Sequence, residues 1–353
     1  MDKSEKTLPP RGETNFDRRL LPGGAALALL AALLVGCIVV SFSLGRYPVP
    51  PKELLAIIFS RVFPIDPFWT DAMETAVLQI RLPRILLAVL VGGSLSAAGA
   101  AYQGVFQNPM AAPDILGASA GAGFGAALAI FFGLSSVFIT AFAFGVSLLT
   151  VALVFFVSKR AKGDRVLGLI LAGIMISSLF QSGTSFIKLM ADPTNKLPAI
   201  TYWLMGSLAG ATKREVAFVF WPMLAGLLPL ILLRWRLNVI TMGDDEARAM
   251  GVDANRVRLA VAICATLVTA ASVSVSGMIG WVGLVIPHMM RRLVGSDYRV
   301  LMPASILAGA SFMLIVDNVS RNLLSSEIPI GILTAFVGAP FFLWLITGRG
   351  DKT

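Results

Sequence analysis

Long runs without a charged residue alternate with short polar segments along most of the chain. A helix needs about 20 apolar residues to cross the hydrocarbon core of a bilayer, so each run predicts at least one membrane-spanning helix. The runs cover residues 20–45, 85–113, 115–158, 166–187, 216–233, 259–287, 300–316 and 328–348. The pattern therefore predicts an all-α polytopic membrane protein.

Two of these segments leave the helix count open. The run 115–158 is too long for one helix, and Gly133-Leu134-Ser135-Ser136 is the natural break. Residues 259–290 allow either one long helix or two short ones that divide near Ser276 and Gly277. Ten transmembrane helices with both termini cytoplasmic place most of the 29 Lys and Arg residues on the inner side, as the positive-inside rule requires. A nine-helix count weakens that bias, so ten is predicted.

Composition and charge exclude several classes of protein. Hydrophobic residues make up 56% and charged residues 14%, against about 25% charged residues in ordinary globular chains. The net charge of +9 comes from short basic clusters beside apolar runs, so no nucleic-acid partner is expected. Cys37 and Cys264 lie in separate apolar runs and His288 is the only histidine, so neither a metal site nor a cofactor is expected.

The predicted organisation is one helical domain between two short tails. Residues 1–21 form a cytoplasmic N-terminal tail, 22–348 the ten-helix domain, and 349–353 a second cytoplasmic tail. The first apolar run is longer than the apolar part of a cleavable signal peptide, so it is expected to stay as a membrane anchor. Glycines spaced by three or four predict close contact between helices. They are Gly92, Gly93, Gly99, Gly117, Gly121, Gly125, Gly277, Gly280 and Gly283.

The absence of certain motifs and of buried charges excludes further classes of function. The chain has no P-loop pattern, so it is not expected to hydrolyse ATP. No charged residue lies in the middle of an apolar run, which disfavours a proton- or sodium-coupled carrier. Gly117-Ala118-Ser119-Ala120-Gly121 matches the nucleophile elbow, and His288 offers a base for an intramembrane serine protease. The elbow needs a strand-to-helix turn, however, whereas this stretch begins an apolar helix, so the protease is the less favoured interpretation.

The longest predicted cytoplasmic loop contains a short helix. Asp244 or Asp245 is a suitable N-cap, and Gly251 suits the position just after the last turn. Ala247 and Met250 then form a small apolar face. The helix is either a solvated connector or a docking element for a cytoplasmic partner.

Two further polar segments flank the predicted second helix. On the outer side, Arg81 and Arg84 either extend to lipid head groups or receive carboxylates of an external partner, and Arg321 lies on the same side. On the inner side, Pro109 and Pro113 are expected to end the helix and Asp114 to start the next one.

Several motifs together resemble the FecCD family, the permeases of ABC importers for ferric siderophores, haem and vitamin B12. The resemblance runs from about residue 30 to residue 347. The motifs are Arg81-Leu82-Pro83-Arg84, Gln107-Asn108-Pro109 up to Gly117, Tyr202-Trp203-Leu204-Met205-Gly206-Ser207, Gly243 to Gly251, Gly283-Leu284-Val285-Ile286-Pro287-His288, Ile328-Pro329-Ile330-Gly331 and Gly338-Ala339-Pro340.

The resemblance implies a permease that works as a homodimer in the bacterial inner membrane. Its implied partners are two cytoplasmic ABC ATPase subunits and a periplasmic binding protein. The expected cargo is an iron chelate, a ferric siderophore or haem. Vitamin B12 or molybdate carried by the same architecture is the alternative.

The resemblance also implies roles for particular residues. Arg81, Arg84 and Arg321 receive the binding protein, and Asn108 and Met110 lie near a cytoplasmic gate. His288 is structural rather than a haem ligand, and no residue is catalytic. A coupling helix at about 243–251 contacts the ATPase through Asp244, Asp245, Glu246, Ala247, Arg248, Met250 and Gly251.

Overall fold

The structure, a computed structural model, describes residues 21–61, 63–160 and 165–347. Within these ranges the chain forms helices and no strand. The predicted tails lie outside the described residues, apart from Leu21. In chain order the α-helices are α1 (Gly23–Ser43), α2 (Pro51–Phe59), α3 (Asp71–Thr75), α4 (Leu82–Val105), α5 (Ala118–Phe131), α6 (Ser136–Ser158), α7 (Arg165–Met190), α8 (Lys196–Leu204), α9 (Lys213–Leu232), α10 (Arg234–Met242), α11 (Asp244–Ala249), α12 (Ala254–Ser276), α13 (Val282–Val294), α14 (Tyr298–Asn322) and α15 (Ile330–Thr347).

Seven helical segments in the described part of the chain are long and apolar enough to cross a membrane. One of them is composite, because α3, a π-helical segment (Ala76–Arg81) and α4 follow one another without a break over 35 residues. The others are α1, α6, α7, α9, α12 and α14, and α5 and α15 are shorter apolar helices. The prediction of an all-helical, multi-pass membrane protein is confirmed.

The composite helix begins earlier than the charge pattern predicted. Pro83 has no N–H to donate to the turn before it. In that turn the backbone bonds reach one residue further back, as from the Leu82 N–H to the Val77 carbonyl. The charge-free run started at residue 85 because two arginines interrupt it, yet Arg81 and Arg84 both lie within the helical segment.

The core forms where α4 packs against α13 and α14. A Cβ atom added to Gly99 would lie 1.7 Å from the carbonyl oxygen of Gly283, and one added to Gly92 would lie 2.3 Å from that of Gly309. The helices therefore meet at backbone distance, which only glycine permits. The prediction of close helix contacts at Gly92, Gly99 and Gly283 is confirmed.

Both predicted breaks are present. α5 ends at Phe131 and α6 begins at Ser136, so the long run contains two helices. α12 ends at Ser276 and α13 begins at Val282. Gly277 has a φ of +66° and Trp281 a φ of +69° in this connection. A positive φ is unusual for a bulky residue, so the chain is sharply redirected at Trp281.

The end of the composite helix differs from the prediction. α4 stops at Val105, before either proline, and Gln107 takes a positive φ of +48°. Asp114 does not start the next helix either, because α5 begins at Ala118 after Gly117. Residues 106–117 therefore form a long irregular connection.

Candidate functional site

The polar clusters lie at two opposite ends of the helix bundle. α14 has 25 residues, so it is about 37 Å long at 1.5 Å per residue. Arg321 lies in its last turn, whereas Asp297 precedes its first turn and binds Asn238 of α10, the helix that leads into α11. We call the end that contains Arg84 and Arg321 the Arg84 end, and the other the α11 end.

Arg84 forms the centre of an ion-pair network at the Arg84 end. Its Nε donates to both carboxylate oxygens of Asp317, at 2.9 and 3.2 Å. Its Nη1 and Nη2 donate to Glu327 Oε1 and Oε2, each at 2.9 Å. Arg321 Nε lies 3.7 Å from Asp317 Oδ2. The Arg84 fork thus connects a buried carboxylate, Asp317, to one that is 27% exposed, Glu327.

Arg321 and Arg81 also bind the last turn of α1 and the segment that follows it. Arg321 Nη2 donates to the Ser41 carbonyl at 2.8 Å. Arg81 donates to the carbonyl oxygens of Phe42 and Tyr47. These bonds satisfy two backbone acceptors in the last turn of α1 and one just beyond it, so the two arginines hold the end of α1 against α4 and α14.

The burial of the three arginines corrects the picture of exposed surface charges. Arg81, Arg84 and Arg321 are only 3%, 5% and 7% exposed. Buried charges require internal partners, and each of these guanidinium groups has them. Their role in receiving an external protein is not tested by this geometry and stays a prediction.

The charges of this network shift the acidity of Glu327, which lies in the connection between α14 and α15. Burial of its carboxyl group favours the neutral form. Hydrogen bonds and charge from Arg84, with Arg46 and Arg321 nearby, outweigh that effect and lower the pKa of Glu327 below its usual 4.5. Glu327 is therefore held in its charged form.

The sequence pattern missed Asp317. The charge-free run 300–316 stops one residue before it, which suggests a carboxylate at a helix end. In the structure α14 continues to Asn322, and Asp317 lies inside it, almost fully buried. The spacing of Asp317 and Arg321, four residues apart on one helix face, was the available signal.

At the other end, α11 is a six-residue helix (Asp244–Ala249). Its N-cap is Gly243, with a φ of +134°, and no side chain caps it. The prediction of an aspartate cap is therefore wrong: Asp244 instead accepts two hydrogen bonds from Arg258, at 2.9 and 2.5 Å. These bonds hold the pKa of Asp244 below its usual value. Gly251 follows the last turn with a φ of +75°, as predicted.

The exposed surface of α11 is mostly charged. Ala247 is fully buried, so the predicted apolar pair of Ala247 and Met250 does not form a common face. Met250 alone is half-exposed. The charged residues Asp245, Glu246 and Arg248 are exposed around it. This part of the chain offers a partner several exposed charges beside the apolar side chain of Met250.

Direct hydrogen bonds connect α10 to the rest of the bundle. Asn238 Nδ2 donates to Asp297 Oδ1 at 2.7 Å, and Asn238 Oδ1 accepts from the Tyr298 N–H at 2.8 Å. Gln107 Nε2 donates to the Ile240 carbonyl at 2.8 Å. These bonds link α10 to the start of α14 and to the connection that follows α4.

The predicted gate residues lie next to this connection. Asn108 and Met110 follow α4 and are exposed. Asn108 Oδ1 accepts the Met110 N–H at 2.9 Å, which fixes the turn. The structure places both at the α11 end, and their gating role stays a prediction.

The serine protease interpretation fails on local structure. Ser119 lies in the first turn of α5, and no strand precedes it among the described residues. Its N–H donates to Asp114 Oδ1 at 2.8 Å. His288 is buried within α13. The strained strand-to-helix turn that exposes a serine nucleophile is absent at this position.

α7 presents an unusual surface for a membrane helix, because its exposed side includes polar side chains. These are Ser178, Gln181, Ser182 and Ser185, and they follow the i, i+3, i+4, i+7 spacing of one helix face. Each serine donates to a carbonyl of its own helix. The three hydroxyl groups are thus bonded within the helix, whereas the amide of Gln181 is costly against lipid, so this face is suited to water or to another protein.

Comparison with known proteins supports the same picture. Residues 33–348 match the model of the FecCD transport family. The chain is 41% identical over 317 residues to the molybdate import system permease of Haemophilus influenzae, covering 89% of this chain and 92% of that protein. It is 39% identical over 276 residues to a probable iron chelatin transport system permease of Helicobacter pylori, covering 78% and 83%.

A solved structure shares the fold over nearly the whole chain. It is described as an inward-facing conformation of a metal-chelate type ABC transporter. The TM-score is 0.82 at 39% sequence identity, and the match covers 92% of this chain and 99% of that one.

Proposed function

Because this chain belongs to the FecCD transport family of ABC importer permeases, we propose that two copies of it form the pathway for an iron chelate in a bacterial inner membrane. The chain is the membrane subunit, and ATP hydrolysis belongs to partner chains. In this proposal the cargo is a ferric siderophore or haem, which a periplasmic binding protein delivers.

The exposed polar face of α7 carries the proposal of two copies. Ser178, Gln181, Ser182 and Ser185 lie on a helix that the rest of the chain covers very little. Facing lipid, the Gln181 amide loses its hydrogen bonds to water without replacement, and only the bonds of the serine hydroxyl groups to their own helix remain for these polar side chains. Facing a second α7 across a water-filled pathway, they stay solvated and line the route of a polar cargo.

The proposed topology has ten membrane helices with both termini cytoplasmic. The seven long segments, together with the shorter α5, α13 and α15, bring the number to ten. With the α11 end cytoplasmic, the basic clusters lie on the inner side, which the positive-inside rule supports.

The two ends then have different partners. At the cytoplasmic α11 end, Met250 and the exposed charges of α11 contact an ATPase subunit. At the outer Arg84 end, an acidic group of the binding protein competes with Glu327 for the Arg84 fork, because Glu327 is the exposed member of that pair. In this proposal Arg81 and Arg321 hold the docking site in shape.

Transport proceeds by alternating access. Closure of the ATPase dimer moves α11, and the hydrogen bonds of Asn238 and Gln107 carry the displacement to α14 and α4. The two permease copies then rock against each other and open the pathway towards the cytoplasm near Asn108 and Met110.

Molybdate is the second candidate cargo. The Haemophilus relative, at 41% identity, is named for molybdate, whereas the Helicobacter relative is named for iron chelatin. Vitamin B12 stays a third candidate on the resemblance to the family.

Uptake into vesicles that contain the reconstituted complex tests the cargo. The complete importer is supplied in turn with haem, a ferric siderophore, cobalamin and molybdate. ATP-dependent accumulation of haem or of the siderophore supports the proposal. Accumulation of molybdate or cobalamin alone assigns the other cargo, and no ATP-dependent accumulation of any of them contradicts the proposal.

A steric block tests the pathway along α7. Ser182→Trp places a bulky ring on the polar face, and we expect uptake to fall at least tenfold while the amount of assembled complex is unchanged. Leu33→Trp, on an exposed and wholly apolar stretch of α1, is the matched control and should leave uptake intact. Equal uptake by the two variants contradicts the assignment of α7.

A further inference from the structure

The connection between α4 and α5 turns back into the bundle instead of staying at its surface. A Cβ atom on Gly283 would lie 2.2 Å from Pro113 Cγ and 2.6 Å from the Leu95 carbonyl oxygen. One on Gly173 would lie 2.3 Å from the Ile115 carbonyl oxygen. Residues 113–115 therefore contact the interior parts of α4, α7 and α13.

These contacts define the depth of the connection. Leu95 lies about 15 Å along the α4 axis from its end at Val105, at 1.5 Å per residue. The hydrocarbon core of a bilayer is about 30 Å thick. Asp114, next to Pro113, is thus close to the middle of the membrane in a chain that crosses it in the proposed topology.

A crevice of about 140 Å³ opens at this depth. Its wall includes Asp114, Ser119, Thr269, Gly280 and Trp281. A Cβ atom on Gly280 would meet nothing within 4 Å, so the space in front of the α12–α13 connection is open. At about 30 Å³ for each water molecule, the crevice holds a few waters or one functional group of a larger cargo.

Asp114 presents a carboxylate to this crevice. The Asp114 residue is exposed to solvent in the single chain. Oδ1 accepts the Ser119 N–H at 2.8 Å. None of the ion pairs among the described residues includes Asp114. A charge at mid-membrane depth needs a basic partner or water, and the crevice is large enough to hold water.

The sequence pattern predicted spans without any interior charge. Asp114 does lie outside every helix, but its loop returns to the depth of the helix centres. An ionisable group at that depth, facing an open space, is a typical element of a substrate pathway.

We propose that Asp114 is a charge filter in the translocation pathway, where it favours cationic or hydrogen-bond-donating groups of the cargo and repels free anions. The inference rests on the proposed function, because a filter acts only on cargo that passes it. Among the proposed cargoes it favours a ferric siderophore of neutral or positive charge over haem, whose propionate groups are anionic, and over a free oxyanion such as molybdate.

Cysteine labelling tests the filter without any cargo. The full-length chain carries Ser119→Cys, with Cys37 and Cys264 replaced by alanine, in lipid nanodiscs that leave both faces open. The probes are a trimethylammonium and a sulfonate methanethiosulfonate of similar size. Ser135→Cys, exposed before α6, reports the intrinsic rate ratio of the two reagents.

We expect Ser119→Cys to favour the cationic reagent roughly tenfold over the Ser135→Cys ratio, because one nearby charge changes the two rates in opposite directions. Asp114→Asn should abolish that preference. Asparagine can still accept the Ser119 N–H, so the start of α5 is preserved. Asp114→Glu should keep the preference.

Two outcomes overturn the proposal. If neither reagent labels Ser119→Cys while Ser135→Cys reacts, the crevice holds no water. If the preference is the same with Asp114→Asn, another charge sets it. ATP-driven uptake is measured separately on the Asp114 variants in the wild-type cysteine background. A charge-dependent label without uptake of any cargo counts against the importer function and leaves the crevice chemistry standing.

Discussion

The Arg84 end and the α11 end use the same residue types in opposite ways. At the Arg84 end, Asp317 is paired with Arg84 and its side chain is 1% exposed. At the α11 end, Asp245 lies 3.8 Å from Arg248 and is 96% exposed. Breaking a buried pair leaves an uncompensated charge inside the protein, whereas an exposed pair is already solvated. Buried charges here maintain the fold, and exposed charges are free to meet a partner.

The largest expected effect is at Asp317. Asp317→Ala leaves the buried Arg84 and Arg321 without their shared carboxylate, so we expect a loss of about 3–5 kcal/mol of unfolding free energy. The measurement is unfolding of the purified protein in detergent. Asp245→Ala is the matched control and should change the stability by less than about 0.5 kcal/mol. Similar losses for the two variants contradict the comparison between the ends.

A smaller effect is expected at Glu327, which is the exposed partner of Arg84. Glu327→Gln keeps the shape of the side chain but removes its charge, and we expect a loss of about 1–2 kcal/mol at neutral pH.

The pH dependence provides a check on Glu327. Its pKa is lowered in the folded protein, so its contribution is complete above the usual value of 4.5 and is lost as the pH falls through the lowered value. The stability difference between wild type and Glu327→Gln should therefore shrink on acidification below about pH 4.5. A difference that is constant with pH contradicts the ionic role of Glu327.

Arg258 at the α11 end tests an ion pair of intermediate exposure. Its guanidinium group binds Asp244. The Arg258 side chain is 20% exposed and the Asp244 side chain 45% exposed. We expect Arg258→Ala to cost at most about 1 kcal/mol of stability. Adding salt to the wild type should remove most of that difference, because exposed charges are screened. If salt does not change this stability difference, the Arg258–Asp244 pair behaves like the buried ion pairs of the Arg84 end.

The smallest effect on stability is expected for Asp245→Arg. The carboxylate is almost fully exposed, so unfolding should change by less than about 0.5 kcal/mol. If α11 contacts the ATPase, the same change should uncouple ATP hydrolysis from uptake in the reconstituted complex. Asp66→Arg, an exposed acid in the connection between α2 and α3, is the matched control. Unaltered coupling in Asp245→Arg makes α11 a connector only.

The sequence predicted features that depend on local patterns. The apolar runs predicted the positions of the membrane-spanning helices. Gly133 and Gly277 predicted two breaks, because glycine favours turns and can be read directly from the sequence. Gly99 and Gly283 indicated close packing for the same reason. The docking and coupling segments were identified by resemblance, and their roles are still predictions.

Other features depend on the tertiary structure and left little trace. Nothing beside Asp114 in the sequence shows that its loop returns to the middle of the bundle, since that depth is set by contacts with α7 and α13. Ala247 lies on a predicted exposed face, yet packing against neighbouring helices buries it. Asp317 was assigned to a helix end because a charge-based boundary stops at the first charge, even when a buried arginine neutralises it.

The polar face of α7 also has a consequence for the assembly of the proposed dimer. A newly inserted single copy exposes Ser178, Gln181, Ser182 and Ser185 to acyl chains until it finds its second copy. In the proposed dimer, the second copy and the water-filled pathway take the place of those acyl chains. The face that conducts the cargo is then complete only after two copies have assembled.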